Sequence, residues 1–130
     1  MDSSLAVLLI LVLALVALLA VVAKLTHPKM NREHFEKKWK EVTKEQNLTL
    51  AVIKADSVVD EALRHAGMKG GTMGERLNNS RGFVRDINGA WWAHKLRNRL
   101  VHETGTEATQ ADHDKAMRLF RKTLKDLGAL

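Results

Sequence analysis

LAVLLILVLALVALLAVVA, the stretch from Leu5 to Ala23, decides the architecture of this chain. It holds only Leu, Ala, Val and Ile, with no charge, Gly or Pro to interrupt the run. As a helix it spans roughly 29 Å, close to the ~30 Å hydrocarbon thickness of a bilayer. A helix closes its own backbone hydrogen bonds and so can sit in lipid. Ser3 or Ser4 is placed to cap its start, and Lys24, His27, Pro28 and Lys29 mark its end.

A cleaved signal peptide is the competing reading, because Val21, Val22 and Ala23 precede Lys24 much as small residues precede a cleavage site. Two features oppose it. The flank MDSS carries no Lys or Arg, and the apolar run exceeds the usual h-region of about 7 to 15 residues. The segment is therefore expected to stay, as a single span in the cell membrane. Lys24, Lys29, Arg32, Lys37, Lys38 and Lys40 follow it, while Asp2 is the one charged side chain before it. By the positive-inside rule the N-terminus lies outside and the remainder faces the cytoplasm.

The chain thus divides into residues 1–29, an anchor with a short basic linker, and residues 30–130, one cytoplasmic domain. The hydrophobic fraction of 45% is inflated by the span, and the rest has an ordinary polar composition. All 21 Lys and Arg follow Ala23, as does every acid except Asp2, so the formal charge of +6 becomes +7 once Asp2 is set aside. Such an excess favours anionic partners, either lipid headgroups beside the anchor or nucleic acid. The absence of Cys removes any disulfide framework or thiolate metal site and agrees with a reducing compartment.

Apolar spacing after Met30 follows helical steps throughout, and no repeat or strand pattern interrupts it. Asn31 is placed to cap a helix reaching about Gln46, with Phe35, Trp39 and Val42 on one face. Lys37, Lys38 and Lys40 on that helix read first as a solvated face and second as a lipid contact. A core helix follows from Leu48 to Ala66, with Ala51, Ala55, Val58, Ala62 and Ala66 along a seam and Gly67 as its stop. The stretch from Gly67 to Gly74 lacks the GxxxxGK[ST] order of a phosphate cradle and reads as a plain loop. Thr72 and Glu75 form a capping box that starts a short helix to roughly Asn78. Asp86 caps Ile87 to His102. Thr109 and Asp112 begin a last helix, with His113, Ala116, Met117, Phe120, Leu124 and Leu127 inward and Gly128 at its end. The expected fold is all-α, a transmembrane helix followed by a compact bundle of four main helices and one short one.

The stretch with most chemistry is AWWAHKLRNRLVHE, Ala90 to Glu103. On a helix His94, Asn98 and His102 stack at successive turns as a polar strip bordered by Arg97. Arg97 and His102 point about 140° apart, so a site combining them suits a place where two copies of the helix meet. RNRLVH, Arg97 to His102, resembles the mark of the HEPN superfamily: an Arg, commonly followed by Asn, Asp or His, then a His four to six places after the Arg, near a helix end. The resemblance implies a homodimer in which paired copies of this helix line a metal-independent RNA-cleaving site. It makes His102 the general acid or base, Arg97 the contact to phosphate and transition state, and Asn98 the group that orients His102. His94, Lys95 and Arg99 on the same helix are the candidate flanking contacts to RNA. The chemistry is coherent, since imidazole titrates near pH 6.5 and a fixed guanidinium suits a pentacovalent phosphate. Thr104 stands where some members carry a Tyr two places after the His, which argues against a toxin silenced by tyrosine modification. TMGERL and HKLRNRLVHE together resemble a group of small bacterial proteins with one N-terminal span, a match that implies no activity.

Beside the membrane-anchored endoribonuclease stands a non-catalytic reading. In it Arg97, Asn98 and His102 form a structural network, with Glu61, Glu75 or Glu103 as acid partner, and the domain recruits a partner protein to the membrane. Binding of RNA without cleavage lies between the two. No metal or other cofactor is expected, because His94 and His102 are far apart in sequence and no HExxH pattern exists. Trp91 and Trp92 point about 100° apart on a helix, which predicts one in the core and one at a dimer surface.

Overall fold

A computed structural model describes residues 2–26 and 29–130, and every regular element in them is helical. In chain order these are α1 (Ser3–Thr26), α2 (Arg32–Thr43), α3 (Leu48–His65), α4 (Met73–Asn79), α5 (Ile87–His102) and α6 (Gln110–Asp126). The most apolar 18-residue stretch within Ser3–Leu25 of α1 has a mean hydropathy of 3.5, and among the described residues α1 packs against no other helix. It is long and apolar enough to cross a membrane. It starts at Ser3, so Asp2 rather than either serine holds the cap position, its carbonyl accepting from Leu5 N and Ala6 N at 2.9 and 3.1 Å. Its end lies beyond Lys24, at Thr26. His27 and Pro28, expected to mark that end, lie outside the described residues.

Side-chain capping sets where the domain helices begin. Asn31, Asn47, Thr72, Asp86 and Thr109 each accept a hydrogen bond from the backbone N–H three residues on, satisfying a donor that has no partner inside its helix. At α4 the capping box closes differently from the standard form: the Glu75 carboxylate accepts from Gly71 N rather than from Thr72 N. α2 stops at Thr43, short of the expected Gln46, because Asn47 must turn out of helix to cap α3. Glu45 in the connection is tied by Lys54 Nζ at 2.6 Å and by Asn47 N at 3.1 Å. α3 and α6 end alike, on glycines with φ of +80° and +77°. Met68 N donates to Leu63 O and Ala129 N to Leu124 O, the long bond of a Schellman turn that an L side chain at Gly67 or Gly128 would strain.

α3 is the hub, touching α2, α4, α5 and α6. Ala51, Val52, Ala55, Val58, Val59, Ala62 and Leu63 are buried along it, and Phe35, Leu77 and Phe120 close over them. Small residues bring helices close. An ideal Cβ on Gly89 of α5 would press on the Asp86 carboxylate and lie 2.6 Å from Leu119 Cδ2 of α6, so any larger residue there would displace both side chains. On α6 the buried face is Ala116, Leu119, Phe120, Thr123 and Leu124, while His113, Met117 and Leu127 sit half-buried at its edge. Leu119 and Thr123 were not expected there. Thr123 is admitted because its hydroxyl donates back to Leu119 O at 3.0 Å.

Candidate functional site

α5 carries the residues singled out from the sequence, and its packing on α3 divides them between two faces. Facing α3 is a closed ring of four side chains. His94 Nδ1 lies 2.8 Å from Asp56 Oδ1, and both side chains are buried. Asn98 Nδ2 lies 3.4 Å from His94 Nε2, and Arg97 Nη1 donates to Asn98 Oδ1 at 3.0 Å. Arg97 Nε returns to Asp56, 3.4 Å from Oδ2 but misaligned, and is the one buried side-chain polar atom among the described residues that lacks a hydrogen bond. Donor directions around the ring assign the imidazole proton to Nδ1 and leave Nε2 as the acceptor from Asn98. The Arg97 charge is therefore balanced inside the ring by Asp56.

Asp56 is a residue that the sequence reading missed. Sequence offers Glu61, Glu75 or Glu103 as the acid partner, but Glu61 lies 2.7 Å from His34 Nε2, Glu75 holds Gly71 N, and Glu103 accepts from Thr106 Oγ1 at 3.4 Å. A signal was present: Val52, Asp56, Val59 and Leu63 share one helical register, so a lone carboxylate sits in an apolar row and needs a buried partner.

A cavity of about 450 Å³ opens beside the ring, lined by Asp56, Asp60, Arg64, His94, Arg97 and Asn98. Asp60 Oδ1 and Oδ2 accept from Arg76 Nε and Nη2 at 2.7 and 3.1 Å. Burial pushes the Asp60 carboxyl up, but hydrogen bonds from Arg76 and Arg64 outweigh it and hold the group below the usual carboxylate range. With acids matching guanidinium groups, this cavity is no cationic trough.

His102 is elsewhere. It is exposed at the end of α5 and has no hydrogen-bond or ion-pair partner among the described residues. The expected strip of His94, Asn98 and His102 is thus joined only over its first two members. His94, expected to touch RNA, is buried in the ring instead.

The outer face of α5 has the opposite character. Asn88, Lys95, Arg99 and His102 are exposed along it at helical spacing. At its N-terminal end a hollow of about 570 Å³ is lined by Asn78, Arg81, Asn88, Trp91, Trp92 and Lys95, with no acid. Both tryptophans are half-buried and share this hollow, whereas one was expected in the core and the other at a dimer surface. Their divergence explains it: each leans on a different neighbour and leaves the space between them open. Trp91 rests on α4, where a Cβ on Gly74 would come 3.1 Å from its ring, and meets His94 edge-on at 5.8 Å. Trp92 leans to α6, where Lys115 Nζ sits 4.0 Å from its centroid.

No family model, curated protein or solved structure matches the chain.

Proposed function

We propose that the chain is a membrane-anchored, HEPN-like domain that binds single-stranded RNA along the outer face of α5. The observation that carries this reading is the acid-free hollow holding Trp91 and Trp92 beside Arg81 and Lys95, continued along the helix by Arg99 and His102. Indole faces stack unpaired bases, amides such as Asn78 and Asn88 address base edges, and the cations neutralise phosphates. The anchor is α1, and the Lys and Arg that follow it favour a domain in the cytoplasm. Digestion of the domain by protease added outside intact cells would reverse that orientation.

The full chain in detergent should bind a labelled single-stranded RNA with an affinity that falls as salt rises, with a log–log slope of about −0.7 per phosphate contacted. Equal, salt-independent retention of the wild type and a Trp92→Ala/Lys95→Ala/Arg99→Ala variant would overturn the reading.

Cleavage requires more than binding. In one copy the ring holds Arg97 on the α3 side while His102 stands alone at the helix end, so an active site would pair Arg97 of one chain with His102 of a second across a dimer. The ring itself favours the non-catalytic alternative, in which Arg97 and Asn98 fix the packing of α5 on α3. Incubation of RNA with the wild type in EDTA separates these readings. A 2′,3′-cyclic phosphate product, lost in His102→Ala with binding retained, would establish a ribonuclease; intact RNA throughout would leave a binding module.

A further inference from the structure

A second hollow, which shares no lining residue with the first, lies between α2 and α6, with a volume of about 580 Å³. Trp39 and Met117 give it an apolar floor, and Arg118, Arg121, Lys122 and Lys125 stand around it. Lys122 lies 3.4 Å from Asp86, but Arg118, Arg121 and Lys125 are exposed and pair with no acid among the described residues. The one carboxylate at its edge, Glu45, is already bound by Lys54 at 2.6 Å. An apolar floor under unpaired cations fits an anionic amphiphile better than a bare ion or a neutral ligand.

Chain connectivity narrows the class. The segment between Thr26, the end of α1, and Arg32, the start of α2, reaches at most roughly 20 Å when fully extended. Trp39 lies about 10 Å further along α2. If α1 spans a bilayer, this hollow cannot stand more than roughly 30 Å from the end of the span. We infer that the α2–α6 hollow is a docking site for an anionic phospholipid, with the headgroup phosphate held by Arg118, Arg121 and Lys125 and the start of an acyl chain against Trp39 and Met117. The inference rests on α1 being a membrane anchor. It gives the domain a second attachment that orients it on the membrane.

The test uses the full chain carrying Trp91→Phe and Trp92→Phe, which leaves Trp39 as the only tryptophan. The protein is reconstituted in phosphatidylcholine vesicles containing a small fraction of brominated phosphatidylglycerol or, in parallel, brominated phosphatidylcholine. Brominated phosphatidylglycerol should quench Trp39 far more strongly, and each of Arg118→Gln, Arg121→Gln and Lys125→Gln should reduce that preference about fivefold. These three side chains are exposed, and circular dichroism verifies that the variants remain folded. Equal quenching by the two lipids would overturn the inference, as would displacement of the brominated phosphatidylglycerol by short RNA, which would assign the hollow to nucleic acid. Failure of the chain to float with vesicles after carbonate extraction would instead overturn the anchor on which the inference rests.

Discussion

The two faces of α5 are built from similar residue types and end in opposite states. On the α3 side, His94, Arg97 and Asn98 are bound to one another and to Asp56, so they form one network inside the fold, with Arg97 Nε as its single unsatisfied buried donor. On the outer side, Lys95, Arg99 and His102 are exposed, and no acid lines the hollow at their N-terminal end. The difference lies in α3, which supplies a carboxylate to one face and nothing to the other. A histidine or arginine on this helix is structural or available according to what the neighbouring helix offers it.

The sharpest way to break that contrast is to remove the carboxylate. Asp56→Ala leaves His94 and Arg97 without their buried acceptor and should destabilise the domain by about 3 kcal/mol, the scale of a broken buried ion pair. Asp56→Asn keeps an oxygen for His94 Nδ1 but not the charge, and should cost about 1 to 2 kcal/mol. Denaturant unfolding followed by tryptophan fluorescence measures both, since Trp91 contacts His94. A loss below about 0.5 kcal/mol for the alanine variant, the size of an ordinary surface substitution, would show that the ring is not structural.

Acid should act on the same side with a smaller effect. Burial raises the carboxyls of Asp60 and Glu61, but their cation partners prevail: Arg76 and Arg64 for the first, Lys38 and His34 for the second. Both groups therefore stay below the ordinary carboxylate range. A group lowered in the folded state adds stability that is complete above its unfolded value near pH 4 and is lost as pH falls through the folded one. Unfolding midpoints should thus be insensitive to these two groups at neutral pH and decline below about pH 4. Asp60→Asn should flatten that decline, and an unchanged acid limb in the variant would remove Asp60 from the account.

How far these features can be read from sequence depends on whether they are local. N-caps at Asn31, Thr72, Asp86 and Thr109 are legible because a short polar side chain, the turn it makes and the helix it starts lie within a few residues. The glycine stops of α3 and α6 are legible for the same reason. The ring was half legible: Arg97 and Asn98 stand out, while Asp56 hides in a valine-rich helix and meets His94 only when α3 packs on α5. Neither Trp91 nor Trp92 is fully in the core as expected for one of them, because their environments are set by Gly74 on α4 and Lys115 on α6, neither adjacent in sequence. The α2–α6 hollow shows the same limit. Its cations form a visible polar face on α6, but Trp39 beneath them comes from a distant helix.

The smallest expected change in stability, and the most informative for function, is on the outer face. Arg99→Ala and His102→Ala remove exposed side chains with no hydrogen-bond or ion-pair partner among the described residues, so each should shift unfolding by no more than about 0.5 kcal/mol. Arg99→Ala should weaken RNA uniformly across sequences and reduce the salt slope by about 0.7, since it deletes one phosphate contact to a single strand. Trp92→Ala should behave differently. It removes a stacking surface worth about 1 to 3 kcal/mol per base and should leave the slope unchanged. An abasic strand of the same length separates the two effects, because it keeps the phosphates and lacks anything to stack: the wild type should bind it more weakly than Trp92→Ala binds the normal strand, where Trp91 still stacks. If Arg99→Ala or His102→Ala instead unfolds the domain, the outer face is part of the packing and the division of α5 into a used face and an available one fails.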